Sequence, residues 1–154
     1  MPKASTQLRT CDEVTNEHVP LILGRMRKQY YFRPSPAGLL AWDVDRLVAL
    51  SRTFTVRAVP LTEIRELDDA FVGGDEPTWR AFAEHCRLVQ EAELRYPIIR
   101  AADGAVMDGM HRVTRALIEG RDTIDAVQFD TDPEPDYVGR EPDDLPYDPT
   151  PDER

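Results

Sequence analysis

The sequence predicts an α+β fold: one domain built on a small mixed sheet with helices packed on it, followed by an extended acidic C-terminal tail. Three observations carry this prediction. A chain of 154 residues has room for one compact domain and some tail, but not for two domains. Residues 96–129 carry strand, turn, strand, helix and strand signals in direct succession. From residue 130 onward, proline and acid replace the apolar pattern. Hydrophobic residues make up 41% and charged residues 31%, enough apolar material for a core and too much charge for a membrane protein. With no run of about 20 apolar residues and no apolar leader at the start, the expectation is a soluble cytoplasmic protein.

The expected division is an N-terminal extension over residues 1–40, a domain over 41–129 and a tail over 130–154. Within the extension, Pro20–Phe32 reads as a short helix with Pro20 in its first turn. Its Arg25, Arg27 and Lys28, interleaved with Tyr30, Tyr31 and Phe32, fit a docking segment whose cations stay wet better than a grip on single-stranded nucleic acid. Trp42–Arg52 reads as a helix capped by Asp43, and Phe54–Leu61 as a strand ending at Pro60. Leu67–Pro77, with Gly73-Gly74 and four acids, reads as a mobile loop beside a site. Helical spacing of Trp79, Phe82, Ala83, Cys86, Val89 and Ala92 predicts an amphipathic helix over Thr78–Leu94, with Thr78 as cap and Trp79 and Phe82 facing the core. Tyr96–Ala101 and Ala105–Met107 read as strands about an Asp103-Gly104 turn. Met110–Glu119 reads as a helix stopped by Gly120, and Thr123–Phe129 as the closing strand.

The net charge of −10 is uneven. Residues 130–154 hold ten Asp or Glu against two Arg, which leaves 19 acids and 17 bases upstream and a body of about −2. So balanced a body does not suit sequence-independent duplex DNA binding, which needs cations to replace the counterions along the phosphates. The six prolines of the tail forbid a helix or an internal strand, so it reads as solvated chain, with Tyr137, Leu145 or Tyr147 available to dock on the body. Cys11 and Cys86 are far apart and form no C-x-x-C pair, which points away from a disulfide framework and from a cysteine zinc site.

The chemistry concentrates at Asp108-Gly109-Met110-His111-Arg112. A strand that enters a helix through glycine leaves the first helical N–H groups open, and such groups attract phosphate or carboxylate. His111 and Arg112 then sit in a first turn where the helix dipole disfavours cations unless an anion is near. Each residue also has a plainer use: Asp108 as a helix cap, His111 and Arg112 as solvent-facing groups, Arg115 and Glu119 as a surface i, i+4 pair. His18 and His85 read as structural or exposed.

The segment Tyr96–Phe129, YPIIRAADGAVMDGMHRVTRALIEGRDTIDAVQF, with the earlier Val59-Pro60-Leu61-Thr62-Glu63-Ile64, resembles the ParB/sulfiredoxin superfamily. That family has a DG-x-HR-like phosphate-binding junction and a V-P-L-x-x-I opening element. Met110 stands where sulfiredoxins carry their reactive cysteine, which argues against sulfinic-acid reduction, and the acidic proline-rich stretch stands where partitioning ParB proteins carry a helix-turn-helix reader, so centromere binding is not expected. The resemblance implies a nucleotide-binding protein that uses ATP or ADP with Mg2+, a phosphotransferase or phosphohydrolase acting on a small molecule. It implies phosphate contacts from Gly109, Met110, His111 and Arg112, catalytic roles for Glu63, Asp108 and His111, and metal ligation by Asp108, Glu66 and Asp68. A non-catalytic nucleotide-sensing or partner-binding module is the alternative, and a ParB-like nuclease the third reading.

Overall fold

The computed structural model describes residues 9–10, 28–70 and 78–148. The expectations for Cys11, His18 and the first part of the Pro20–Phe32 helix, for Gly73-Gly74 and for the last tail residues lie outside these. Among the described residues the chain forms β1 (Tyr30–Ser35), β2 (Gly38–Asp43), α1 (Val44–Ser51), β3 (Arg57–Pro60), α2 (Trp79–Glu91), β4 (Ile98–Arg100), β5 (Val106–Asp108), α3 (Met110–Ile118), β6 (Thr123–Gln128) and β7 (Tyr137–Val138). Short 3-10 turns cover Leu61–Glu63, Arg65–Asp68 and Pro142–Asp144.

The architecture is α+β, as the sequence predicts, but with two sheets in place of one. The larger sheet has the order β3-β6-β4-β5; β4 and β6 run parallel, and the β3–β6 and β4–β5 pairs are antiparallel. Successive residues of a strand point to opposite faces, and here both faces are apolar and buried. Ile99, Met107, Val127 and Phe129 pack with Trp42 and Leu47 in one cluster. Ile98, Val106, Ala126 and Ile124 pack with Val113 and Ala116 of α3, and with Leu61 and Ile64, in the other. Neighbouring pairs such as Ile98 and Ile99 thus serve different cores, which explains why residues 97–101 contain no exposed position.

The smaller sheet, β1-β2-β7, corrects three expectations. Tyr30, Tyr31 and Phe32 lie in a strand, not in a helix, because aromatic residues beside Pro34 suit an extended edge paired with β2. Trp42 belongs to β2 opposite Tyr31, so α1 starts only after Asp43, whose carboxylate caps it by accepting from the Asp45 N–H at 2.9 Å. The tail up to residue 148 is not free solvated chain: it lies on the body, and the three residues expected to dock, Tyr137, Leu145 and Tyr147, all make contacts there. The Trp42 Nε1–H donates to the Pro133 carbonyl at 2.7 Å, Arg33 and Arg46 pair with Asp132 and Asp136 at 2.8 and 3.1 Å, and Leu145 is buried. The β7 edge satisfies the proline rule, since only Tyr137 and Val138, neither of them proline, join the ladder. Boundaries at residues 40 and 129 would cut through this sheet.

Helix α2 corrects a fourth. Thr78 caps it as expected, its hydroxyl accepting from the Ala81 N–H at 3.1 Å, but Trp79 is 87% exposed and Phe82 48%. Periodicity identifies an apolar face without saying whether anything covers it. Here the C-terminal half of the helix is the docked half: Val89 is buried, and Arg115 of α3 donates to the free carbonyls of Gln90 and Ala92.

Candidate functional site

Gly109 stands between β5 and α3 as the cap residue of the helix, with φ of +112°, a left-handed conformation that favours glycine. A Cβ there would come within 2.6 Å of the Ile98 Cγ2, so the glycine is required by the protein's own core as well as by the turn. Having no side chain, it leaves the first turn of α3 uncapped, and that turn contains no acid.

Asp108 does not cap the helix. Its Oδ2 accepts from Arg112 Nη2 at 2.7 Å, and Arg112 Nη1 donates to the Pro97 carbonyl at 2.9 Å. Arg112 thereby ties the first turn of α3 to the residue that leads into β4, and its guanidinium is engaged by the protein itself. The Arg115–Glu119 pair forms as expected, with Nε to Oε1 at 3.0 Å.

His111 points to the other flank of α3, its ring 4.9 Å from that of His85 on α2. Burial pushes its pKa below the ordinary histidine value, the neighbouring His85 and Arg112 push the same way, and Asp108 opposes them. The imidazole is therefore neutral near pH 7 and can donate one hydrogen bond and accept another.

Between α2, α3 and residues 66–70 runs a groove of about 1040 Å³ with a mainly apolar lining. Phe82, Val89, Leu117 and Ile118 supply its walls; His85, His111, Glu66 and Cys86 supply polar or reactive groups. Of the predicted site residues, Glu66, Met110 and His111 line this groove, whereas Glu63, Asp68, Asp108, Gly109 and Arg112 do not. Glu63 sits exposed on its 3-10 turn. His85, expected to be structural or exposed, and Cys86, expected on the apolar face of the helix, also line the groove; their place on an amphipathic helix was legible, but the element facing them was not.

The acids expected to hold magnesium are dispersed in their duties. Glu66 Oε1 accepts from the Val106 N–H at 2.8 Å and anchors β5, its Oε2 is buried without a partner among the described residues, and Asp108 is committed to Arg112. Among the described residues no three His, Cys, Asp or Glu side chains gather as a metal site. No helix among them is long and apolar enough to cross a membrane.

In comparisons with known proteins, the chain matches no family model, and no curated protein or solved structure is similar to it.

Proposed function

We propose that the chain is a binding module for a nucleotide or a similar organic phosphate, held in the groove between α2 and α3 and not turned over there. The observation that carries this reading is the meeting of two complementary features: an apolar groove of ligand size and, among its lining residues, Met110 and His111 of an uncapped helical turn. The backbone N–H groups of that turn, with the neutral imidazole, would receive the phosphate, while the base lies between Phe82, Val89 and Leu117. Binding is preferred to phosphoryl transfer because the expected general base, Glu63, and the expected metal ligand Asp108 lie outside the groove lining. The ParB/sulfiredoxin resemblance supports a phosphate at this junction, though with Arg112 as a structural tie instead of a ligand.

Titration calorimetry with ADP, ATP and inorganic phosphate tests the reading. Saturable nucleotide binding, weakened by Ile118→Asp and by His111→Ala, with nucleotide recovered intact after long incubation, is the expected result. An anion beside His111 raises its lowered pKa, so affinity should increase as pH falls through the range where that imidazole gains its proton. Absence of binding at millimolar nucleotide would remove the proposal, and release of phosphate by the pure protein would restore the enzymatic reading.

A further inference from the structure

A second cavity, of about 530 Å³, lies where β3, β6 and the Ala102 turn meet, and it shares no residue with the groove between α2 and α3. Its floor is apolar, with Val59 and Ala126 of the core and the edge-on pair Phe54 and Phe129, whose ring centres are 5.0 Å apart. Its polar side chains are of four kinds. Thr53 and Thr55 bring hydroxyls, Gln128 a carboxamide that bonds Arg100 and the Ala102 carbonyl, Arg57 a guanidinium and Asp130 a carboxylate.

Elsewhere in the described chain, cations that line the body are largely consumed by their own acids: Arg33 by Asp132, Arg46 by Asp136, Arg112 by Asp108, Arg115 by Glu119. Arg57 and Asp130 differ. Among the described residues neither has an ion pair or a side-chain hydrogen bond, although they carry opposite charge and line one cavity. An unpaired surface charge is common, but two of opposite sign that share a concave wall without touching leave room for a bridging molecule. An anion alone would meet the Asp130 carboxylate, and a cation alone the Arg57 guanidinium; each would satisfy one group and be repelled by the other.

We propose that this cavity binds a compact zwitterion of the amino-acid type, its carboxylate on Arg57, its ammonium on Asp130, and a short apolar side chain over Phe54 and Phe129. Guanidinium suits the carboxylate because its planar fork matches both oxygens. The threonine hydroxyls take up remaining donors or acceptors of the ligand. Both charged residues are solvent-exposed, which places the affinity in the millimolar range and not tighter.

The test is a chemical-shift titration of the full chain, uniformly 15N-labelled, with alanine, and in parallel with acetate and with methylammonium at the same concentration and ionic strength. The expected result is saturable movement of the amides of residues 53–57 and 128–130 with alanine and little with either half-molecule. Arg57→Gln and Asp130→Asn should each weaken alanine binding about tenfold or more. If Arg57→Gln disturbs the β3–β6 ladder, Asp130→Asn, which lies beyond the end of β6, carries the same test. Acetate acting as well as alanine would overturn the proposal in favour of a simple anion site. Equal effects from methylammonium, or no movement at these amides with alanine, would also overturn it. None of these outcomes depends on whether the other groove takes nucleotide.

Discussion

The two sheets of this protein are held by different forces. The four-stranded sheet is covered on both faces by apolar side chains, with Trp42 of the other sheet among them on one face; its buried Arg100 donates through Nε to the Gly104 carbonyl at 3.0 Å. The three-stranded sheet depends on aromatic edges and ion pairs with the tail: Tyr30 against Tyr137 and Tyr147, Arg33 against Asp132, Arg46 against Asp136. Burial of apolar surface is insensitive to pH, whereas phenols and carboxylates titrate. The contrast predicts that the four-stranded half is the firmer scaffold for the α3 junction, and that the tail contacts of the other half act as a latch that extremes of pH loosen first.

Substitutions in the scaffold should produce the largest effects. Ile98→Ala empties a fully buried position and should cost about 2–5 kcal/mol of stability, read by denaturant unfolding. Gly109→Ala forces a Cβ into a left-handed turn and against Ile98, a cost of about 1–3 kcal/mol for the backbone alone. Because the two side chains compete for one space, the double variant should lose less than the sum of the singles.

Next comes the tie between α3 and β4. Arg112→Ala should destabilise the chain by about 1.5–3 kcal/mol, since it removes a charge-assisted contact to Asp108 and a donor to Pro97. Under the present reading it should leave nucleotide affinity per folded molecule nearly unchanged, so a large loss of affinity at constant stability would return Arg112 to the phosphate site.

The latch should respond to pH with a smaller effect and no loss of the scaffold. Burial, with Tyr137 and Asp43 nearby, raises the Tyr30 phenol to about 12, so its contribution is complete below the unfolded value of 10 and is lost as pH rises through 12. Asp132 behaves oppositely: burial would raise it, but the Ala102 N–H and Arg33 outweigh that and hold it below 3.8, so its contribution disappears as pH falls through that lowered value. In a Trp79→Phe background, fluorescence of the buried Trp42 should shift to the red at both extremes before the scaffold unfolds. Coincident unfolding of both sheets would refute the division.

The smallest effect belongs to Arg87. It pairs with Glu84 and Glu91 on the exposed face of α2, and Arg87→Ala should leave the melting temperature within experimental scatter.

Much of the scaffold was legible in the residues. The turn at Asp103-Gly104, the glycine entry to α3, the Thr78 and Asp43 caps and the apolar run at Ile98-Ile99 are local signals, and each governs its own few residues. The latch was not legible, because its partners are remote: Arg33 and Asp132 are 99 residues apart, and Trp42 and Pro133 are 91. The candidate site was legible in part for the same reason. Met110 and His111 could be found from the junction, but whether Arg112 faced a ligand or Asp108, and whether Glu63 reached the site, depended on how α3 lies against β4.

Composition and local pattern were therefore enough to determine one α+β domain, the order of its helices and core strands, and the glycine-entered helix, since each follows from backbone geometry and short-range apolar spacing. Only tertiary structure decided that the acidic tail completes a sheet, that Trp79 stays exposed while Phe82 lines a groove, and that Asp108 is occupied by Arg112. Those outcomes are competitions among distant groups for the same surface, and a linear pattern carries no term for the partner that wins.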